Sequence, residues 1–209
     1  MRAPGAAAKW NCDMSVKLQK GQKVSLSKEN AGLSRIIVGL GWDEVEQKRH
    51  GFFAPKPKPI DCDAFALLLK NGKLTGKEDI VYFGNLTHKS RSVMHMGDNL
   101  TGEGEGDDEQ IMIDLNQVPS EYDRIVIAVN IYQAEARNQH FGMIKNAFVR
   151  LVDARNNNEM CIYNLTENYS GQTAMLFGEV YRYNGEWKFS ATGQGTSDKS
   201  IGDFAKRYL

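Results

Sequence analysis

The stretch RIVIAVNIY, from Arg124 to Tyr132, is the most β-prone part of the chain. Five of its nine residues are Ile or Val, whose branched side chains are stiff at χ1 and pack well on a pleated surface. No Gly or Pro interrupts it. We therefore predict that it forms the central strand of the core.

Short strand-like segments lie on both sides of this stretch. They are Ser15–Gln19, Val24–Ser27, Arg35–Trp42, Asp61–Lys70, Asp79–Phe83, Gln110–Leu115, Phe148–Val152, Cys161–Leu165, Ala174–Tyr183 and Trp187–Ala191. Many short strands with few helical segments indicate a β-sandwich. We predict an all-β, mostly antiparallel β-sandwich with acidic metal-binding loops at one end.

Several connections can be predicted from turn residues. The pairs Asn71-Gly72 and Asn184-Gly185 favour tight hairpin turns, and Gly21 is predicted to join the first two strands as a hairpin. The polar segment Gln133–Phe141 is expected to hold a helical turn. The last ten residues, Ser200–Leu209, predict a short amphipathic C-terminal helix. Its apolar side comprises Ile201, Phe204, Ala205 and Leu209.

The length of 209 residues fits one domain. Residues 1–13 are rich in small residues and differ from the rest, so we interpret them as an upstream extension or expression remnant, expected to be disordered. Met14 is a plausible natural start. The remaining residues, 14–209, are predicted to form a single sandwich domain.

The composition excludes several classes of protein. No apolar run approaches the roughly 18 residues that span a membrane. The net charge is zero, but without the six acids of residues 98–109 the 26 basic residues face 20 acidic ones, a balance of +6. An acidic pole on a mildly basic body argues against nucleic-acid binding. Cys12, Cys62 and Cys161 form no CxxC pair, which fits a reducing compartment.

The chemistry of the chain is concentrated in MGDNLTGEGEGDDE, from Met96 to Glu109. Its six carboxylates repel one another unless a cation or water screens them. Its glycines permit sharp turns, so the loop can fold carboxylate and carbonyl oxygens around one point. Oxygen ligands of this kind suit calcium.

Other interpretations of this stretch are weaker or remain open. A solvated, flexible loop has the same composition. An EF-hand is excluded because its third position would be Leu100 and its obligatory sixth glycine would be Glu103. A phosphate-binding loop is disfavoured because no Lys follows the glycines.

Two further acidic positions join the candidate site. Asp61 and Asp63 flank Cys62 at the start of an apolar run, and alternation places both acids on one face of an extended segment. We predict that they line the same cation site as the central loop. Asp43, which follows the apolar run RIIVGLGW, is a weaker candidate.

Five blocks together resemble the tellurium-resistance TerD family, in that family's order. The blocks are VSLSKENAGLSRIIVGLGWD, IDCDAFALLL, GDNLTGEGEGDDEQIMIDL, IYQAEARNQHFGMIKNAFVRL and TAMLFGEVYRYNGEWKFSATGQG. The resemblance implies a calcium-binding β-sandwich from bacterial tellurite-resistance and stress-response operons. It also implies that Asp61 and Asp63 join the acids of the GDN block around calcium. The full candidate set is Asp43, Asp61, Asp63, Asp98, Asn99, Thr101, Gly102, Glu103, Glu105, Asp107, Asp108 and Glu109.

The predicted function is a non-enzymatic, calcium-binding module of a stress-response system. The four histidines are scattered, and no Ser or Cys lies in a recognisable nucleophile motif. We expect partners from the same system and a cytoplasmic location, with peripheral attachment at the inner membrane face as a second option. A calcium-dependent membrane or protein docking module is the alternative, for which Phe52 and Phe53 offer a contact. A metal-assisted hydrolase ranks third.

Overall fold

A computed structural model describes residues 15–28, 30–44, 58–97 and 106–209. This part of the chain contains twelve strands. They are β1 (Val16–Leu18), β2 (Lys23–Ser25), β3 (Arg35–Glu44), β4 (Cys62–Leu69), β5 (Ile80–Val81), β6 (Val93–His95), β7 (Glu109–Asp114), β8 (Arg124–Ile131), β9 (Ile144–Asp153), β10 (Asn158–Asn164), β11 (Ala174–Tyr183) and β12 (Glu186–Thr196).

The helical segments in the described residues are short. The α-helices are α1 (Ala134–Arg137) and α2 (Ile201–Ala205), and the 3-10 helices are Lys77–Asp79, Phe141–Met143 and Lys206–Tyr208. Helix α1 confirms the helical turn predicted between Gln133 and Phe141. No helix in the described ranges has both the length and the apolar character needed to cross a membrane.

The strands form two six-stranded sheets. Sheet A has the order β1-β10-β9-β3-β7-β6, and sheet B has the order β2-β12-β11-β8-β4-β5. The pairing of β1 with β10 is parallel, and the other pairings between named strands are antiparallel. The predicted mostly antiparallel all-β architecture is confirmed.

The main core lies between the two sheets, where both contribute alternate side chains. Ile111 and Ile113 of β7 meet Ile125 and Ile127 of β8 in one buried cluster. Strand β8 lies inside sheet B between β11 and β4, which confirms the prediction for RIVIAVNIY. Burial of these apolar side chains supplies the main driving force for the sandwich.

A second, smaller core covers the outer face of sheet B. Phe65 of β4, Val126 of β8 and Phe204 of α2 belong to this buried cluster. The rings of Phe65 and Phe204 meet edge to face with centroids 5.2 Å apart, a preferred aromatic geometry. Because α2 covers this face, all eight residues of β4 are buried.

The two predicted Asn-Gly turns are confirmed. Asn71 and Gly72 have φ values of 52° and 75°, and Asn184 and Gly185 have values of 51° and 77°. Positive φ at both central positions is the type I′ geometry, which matches the twist of the flanking strands.

Two expectations about the ends of the chain are wrong. Strands β1 and β2 do not form a hairpin, because β1 pairs with β10 in sheet A while β2 pairs with β12 in sheet B. Gly21 still provides a turn, with φ of 80°, but it connects the two sheets. Leu209 does not belong to the buried side of the C-terminal helix, because α2 ends at Ala205 and Leu209 is 72% exposed.

Candidate metal centre

The acidic stretch connects two strands. Strand β6 ends at His95 and β7 begins at Glu109, and the two pair antiparallel from Val93–Ile113 to His95–Ile111. Six of the predicted site residues lie outside the described residues and stay predictions: Asp98, Asn99, Thr101, Gly102, Glu103 and Glu105.

The end of the stretch lies across the outer face of sheet A, over two glycines of β3. A Cβ atom on Gly39 would overlap the carboxylate of Asp107. A Cβ atom on Gly41 would overlap the ring of Phe148 and lie 2.9 Å from the carbonyl oxygen of Gly106. The sequence Gly39-Leu40-Gly41 therefore makes room for the loop on the sheet surface, a role that glycine alone can fill.

Asp107 is neutralised by a base from a neighbouring strand. Its Oδ1 accepts a hydrogen bond of 2.6 Å from Nε of Arg150 on β9, and its side chain is 1% exposed. Gln110 Nε2 donates to the other oxygen at 3.0 Å. A buried carboxylate with a bonded guanidinium is stable without further help, so Asp107 has less need of a cation than its neighbours.

A β-bulge in β9 presents a further polar group. Gly41 faces Phe148 and Asp43 faces Lys145, so Asn146 and Ala147 oppose the single residue Trp42. Asn146 has φ of 51°, a left-handed conformation that Asn tolerates better than most residues. Its Nδ2 donates to Asp43 Oδ2 at 2.7 Å. Bulges often direct side chains in this way beside functional sites.

Asp108 is a half-buried acid close to Asp43 and Asp107. Its Oδ2 accepts a hydrogen bond of 2.8 Å from the backbone N–H of Trp42. Burial raises the pKa of Asp108, the hydrogen bond from Trp42 opposes the rise, and the charges of Asp43 and Asp107 add to it. A nearby cation would stabilise the ionised form of this carboxyl group.

A cavity of about 470 Å³ adjoins Asp108. Its polar lining carries oxygen: the carboxylates of Asp43 and Asp108, the amides of Asn146 and Asn164, and the hydroxyl of Thr166. Carboxylate, amide and hydroxyl oxygens are hard donors that suit calcium or magnesium. The chemistry of this lining fits the predicted ion.

Glu109 points away from this cavity, into the space between the sheets. Its Oε2 accepts a hydrogen bond from the backbone N–H of Ala64 on β4, and lies 3.7 Å from Nε2 of His95. The Gly97 N–H donates to His95 Nδ1 at 3.3 Å, which places the imidazole proton on Nε2, facing Glu109. Glu109 therefore joins the acidic stretch to the segment that carries Asp61 and Asp63.

Asp61 and Asp63 lie on the sheet B side of the sandwich. Asp61 Oδ2 is 3.5 Å from Arg137 Nη1. Asp63 lies opposite Asn130 of β8 and lines a groove on the outer face of sheet B, whereas Cys62 is buried in the main core. Cys62 and Asp63 therefore lie on opposite faces of sheet B, as alternation predicts. The expectation that Asp61 and Asp63 share one cation site with the central loop stays a prediction.

Within the described ranges, no group of three or more His, Cys, Asp or Glu side chains is arranged to hold a metal ion. The described residues bring together Asp43, Asp107 and Asp108, and they tie Glu109 to the backbone of β4. They do not bring Asp61 or Asp63 to the first group.

A buried polar network around Asp79 was not predicted from the sequence. Asp79 Oδ1 accepts from Tyr122 Oη at 2.6 Å and lies 3.2 Å from His88 Nε2, while Oδ2 accepts from Thr75 at 2.8 Å. Burial would raise the pKa of Asp79, but the hydrogen bonds from Tyr122, Thr75 and His88 outweigh it and lower the pKa to about 2. These residues are separated by up to 47 positions in the sequence, so no local pattern reveals them.

This network has the order of a Ser-His-Asp triad, since His88 Nδ1 lies 2.6 Å from Ser90 Oγ. However, the same Nδ1 also accepts from the backbone N–H of Ser90 at 3.2 Å, and Ser90 Oγ is 2.7 Å from Ser92 Oγ. Neither Ser90 nor His88 lines the 470 Å³ cavity or the groove beside Asp63. We interpret the network as structural: its hydrogen bonds stabilise the turn at residues 88–92.

Comparisons with known proteins agree with this fold. The family model described as the TerD domain matches residues 14–208. Stress response protein SCP2 of Bacillus subtilis is 51% identical over 94% of this chain and 100% of its own length. Tellurium resistance protein TerD of Serratia marcescens is 50% identical over 87% of this chain and 91% of its own length.

Two solved structures share the fold. The crystal structure of SAV2460, a protein of unknown function, has a TM-score of 0.65 at 24% identity, and covers 83% of this chain and 95% of its own. The structure of SCO6318 from Streptomyces coelicolor, titled a homologue of telluride resistance protein, has a TM-score of 0.61 at 22% identity. It covers 83% of this chain and 96% of its own.

Proposed function

The chain belongs to the TerD domain family, and from this premise we propose that it is a calcium-binding, non-enzymatic module of a bacterial stress-response system. The names of the relatives, which refer to stress response and tellurium resistance, support the assignment to such a system. We propose further that its partners are proteins of the same system and that it acts in the cytoplasm.

One observation carries the calcium proposal: Asp108 is a half-buried carboxylate whose pKa is raised by burial and by repulsion from Asp43 and Asp107, and it borders a cavity lined by oxygen-bearing side chains. Arg150 pairs with Asp107 and with Glu159. A divalent cation in the adjoining cavity would offset this repulsion. The acids of residues 98–105 immediately precede this point in the chain and are the predicted source of additional ligands.

Calcium fits the lining better than magnesium does. Calcium accepts six to eight oxygen ligands in flexible arrangements, whereas magnesium requires near-octahedral geometry and dehydrates reluctantly. The sequence from Gly97 to Gly106 contains four glycines, counting both ends. Glycine permits many backbone conformations, which favours the ion with the less strict coordination geometry.

The test is thermal unfolding in chelator, in calcium and in magnesium at fixed ionic strength. At a calcium concentration one hundred times the dissociation constant, we expect about 2.7 kcal/mol of stabilisation, because the unfolded chain has no preformed site. For a domain of this size the melting temperature should rise by roughly 5–10 °C. Magnesium should have a much smaller effect. Three superimposable unfolding curves would overturn the proposal.

The non-enzymatic part of the proposal has its own test. Generic phosphate-ester, carboxyl-ester and glycoside substrates should show no turnover above background in calcium. If turnover occurs and is abolished by Ser90→Ala, the triad-like network is catalytic and the proposal is wrong on this point. Calcium-dependent binding to vesicles would instead support the docking alternative.

A further inference from the structure

The described acids supply only part of a calcium shell. Asp43 and Asp108 line the 470 Å³ cavity, whereas Asp107 is bonded by Arg150 and Gln110. Calcium takes six to eight oxygen ligands, and amide oxygens of Asn serve alongside carboxylates. Neutral oxygens of the cavity wall are therefore candidates for the same shell as the predicted acids of residues 98–105.

One part of the cavity wall carries such neutral oxygens. It is formed by the bulge of β9 and the end of β10, which contribute Asn146, Asn164 and Thr166. The backbone joins these two pieces, because the N–H of Leu165 donates to the carbonyl oxygen of Ala147 at 2.9 Å. The bulge and the end of β10 therefore form one unit at this end of sheet A.

Asn146 differs from the other two because a hydrogen bond already orients its amide. Its Nδ2 donates to Asp43 Oδ2 at 2.7 Å, so the amide nitrogen faces the acid. No described residue donates to its Oδ1. An amide oxygen has two acceptor positions, which leaves Oδ1 available to a ligand in the cavity that Asn146 lines.

The bulge also brings Asn146 to the strand that holds both cavity acids. Asn146 and Ala147 together oppose Trp42 of β3, which lies next to Asp43 in the chain and whose backbone N–H donates to Asp108. The φ of 51° at Asn146 is a left-handed conformation that Asn and Gly accept better than other residues. Asn is thus a residue type that fits this backbone and still presents an oxygen.

Trp42 gives an independent indication that the cavity takes a ligand. It lines the cavity and is 5% exposed, and its buried Nε1 has no hydrogen-bond partner among the described residues. Buried donors are nearly always bonded, and an exception indicates a water, an ion or a functional role. The oxygen of a water molecule on a bound ion is an acceptor for such a donor.

We propose that Asn146 is a calcium ligand through Oδ1, while its Nδ2 holds Asp43 beside the same ion. This inference rests on the proposed calcium site and adds β9 to the elements that form it. The ion then links β3, the acidic stretch and the bulge of β9. A neutral ligand adds coordination without adding to the repulsion among the acids.

The test is calorimetric titration of the full chain with calcium after treatment with chelator. Asn146→Gly removes the amide and accepts the positive φ. Its calcium affinity should fall at least tenfold, with a melting temperature in chelator close to that of the parent chain. Asn146→Asp keeps an oxygen but loses the N–H donor. It should bind calcium at least as tightly as the parent chain, because a charged ligand replaces a neutral one.

Asn157→Gly is the matched control. Asn157 is exposed, has φ of 59° in the turn between β9 and β10, and does not line the cavity, so this variant should bind calcium as the parent chain does. A parent chain that binds no calcium would overturn both this inference and the proposed function.

Three results would overturn the inference alone, in a parent chain that does bind calcium. The first is an Asn146→Gly variant that binds as tightly as the parent chain. The second is an Asn146→Asp variant as weak as Asn146→Gly, because the side chain would then act only through its hydrogen bond to Asp43. The third is an equal loss of affinity in Asn157→Gly, because the effect would then not belong to the cavity.

Discussion

Two carboxylates in different parts of the fold, the buried Asp79 and the half-buried Asp108, have pKa values shifted in opposite directions. Asp79 accepts hydrogen bonds from Tyr122, Thr75 and His88, and its pKa falls to about 2. Asp108 accepts a backbone hydrogen bond from Trp42, but burial and the charges of Asp43 and Asp107 raise its pKa. Hydrogen-bond donors within the fold already stabilise the ionised form of Asp79. A carboxylate whose pKa is raised by neighbouring acids gains more from a bound cation, which is why we propose a structural role for Asp79 and a binding role for Asp108.

The largest expected effect comes from removing the carboxylate of Asp79. Asp79→Ala leaves the hydroxyl groups of Tyr122 and Thr75 and the imidazole of His88 without their acceptor. Breaking one partner of a buried charged network costs about 3–5 kcal/mol. Urea unfolding in chelator measures it. Glu78→Ala is the control, because that neighbouring acid is exposed and makes only a 3.7 Å pair with Lys89, so its effect should stay within about 0.5 kcal/mol. If Asp79→Ala is as stable as Glu78→Ala, the hydrogen bonds of Asp79 do not stabilise the fold, and its contrast with Asp108 fails.

The next effect tests how the acidic stretch is seated on sheet A. Gly39→Ala forces its Cβ into the carboxylate of Asp107, which Arg150 holds in place. We expect a loss of about 1–3 kcal/mol, the usual cost of overpacking, together with weaker calcium binding. Gly202→Ala in α2 is the control, since the nearest atom to its Cβ would be 3.7 Å away. Calorimetry and urea unfolding report both quantities. A Gly39→Ala protein as stable as the control would show that the loop end does not need this surface.

A smaller effect is expected at the binding carboxylate itself. Asp108→Asn keeps an oxygen for the Trp42 N–H but removes the charge, so stability in chelator should hold or rise. Calcium affinity should fall at least tenfold, about 1.4 kcal/mol. Asp203→Asn, at the opposite sheet face, should leave calcium affinity unchanged. If Asp108→Asn binds calcium like the parent chain, Asp108 is not a ligand.

The smallest expected effect is the pH dependence of stability that His88 contributes within the network around Asp79. Burial lowers the pKa of His88, and the hydrogen bond from His88 to Asp79 opposes this only in part. Below the unfolded pKa of about 6.5, the unfolded chain takes up a proton that the folded chain refuses, so stability falls as the pH drops. Well above that pKa the imidazole is neutral in both the folded and the unfolded chain, so this loss of stability does not occur. Stability should therefore fall between pH 7 and pH 5.5.

Unfolding of the parent chain and of His88→Gln across this pH range measures the effect. Asp79 does not titrate in this window, because its pKa is about 2, so the difference between the two pH slopes belongs to His88. Parallel slopes would show that His88 takes up protons equally in the folded and unfolded chain.

The elements that local patterns define were predictable from the sequence. The Ile and Val residues of Arg124–Tyr132 mark an internal strand, and the two Asn-Gly pairs mark tight turns, because both signals depend on neighbouring residues. The pairing of β1 and β2 was not predictable in this way. Both strands alternate correctly, but alternation does not say which sheet a strand joins, and their partners lie more than 130 residues away.

The candidate site divides along the same line. The concentration of acids was evident from the sequence. The hydrogen bonds, ion pairs and nearby charges that stabilise or destabilise each ionised acid were not. Arg150 reaches Asp107 across 43 positions, and Asn146 reaches Asp43 across 103 positions through a bulge. Gly39 and Gly41 are visible in the sequence, yet their role depends on a loop that returns to the sheet some 65 residues later. Such relations depend on the tertiary fold.

The separation of β1 and β2 has a consequence for synthesis on the ribosome. Strand β1 cannot pair until Cys161–Tyr163 has been synthesised, and β2 cannot pair until Lys188–Ser190 has been synthesised. These early strands are therefore among the last to be paired. Until then, two edges of the nascent sandwich are open to other chains. Folds with many such distant pairings form slowly, and partly made β-rich chains aggregate. We therefore expect the domain to complete its fold only after β12 has been synthesised, with its early strands as natural substrates for chaperones.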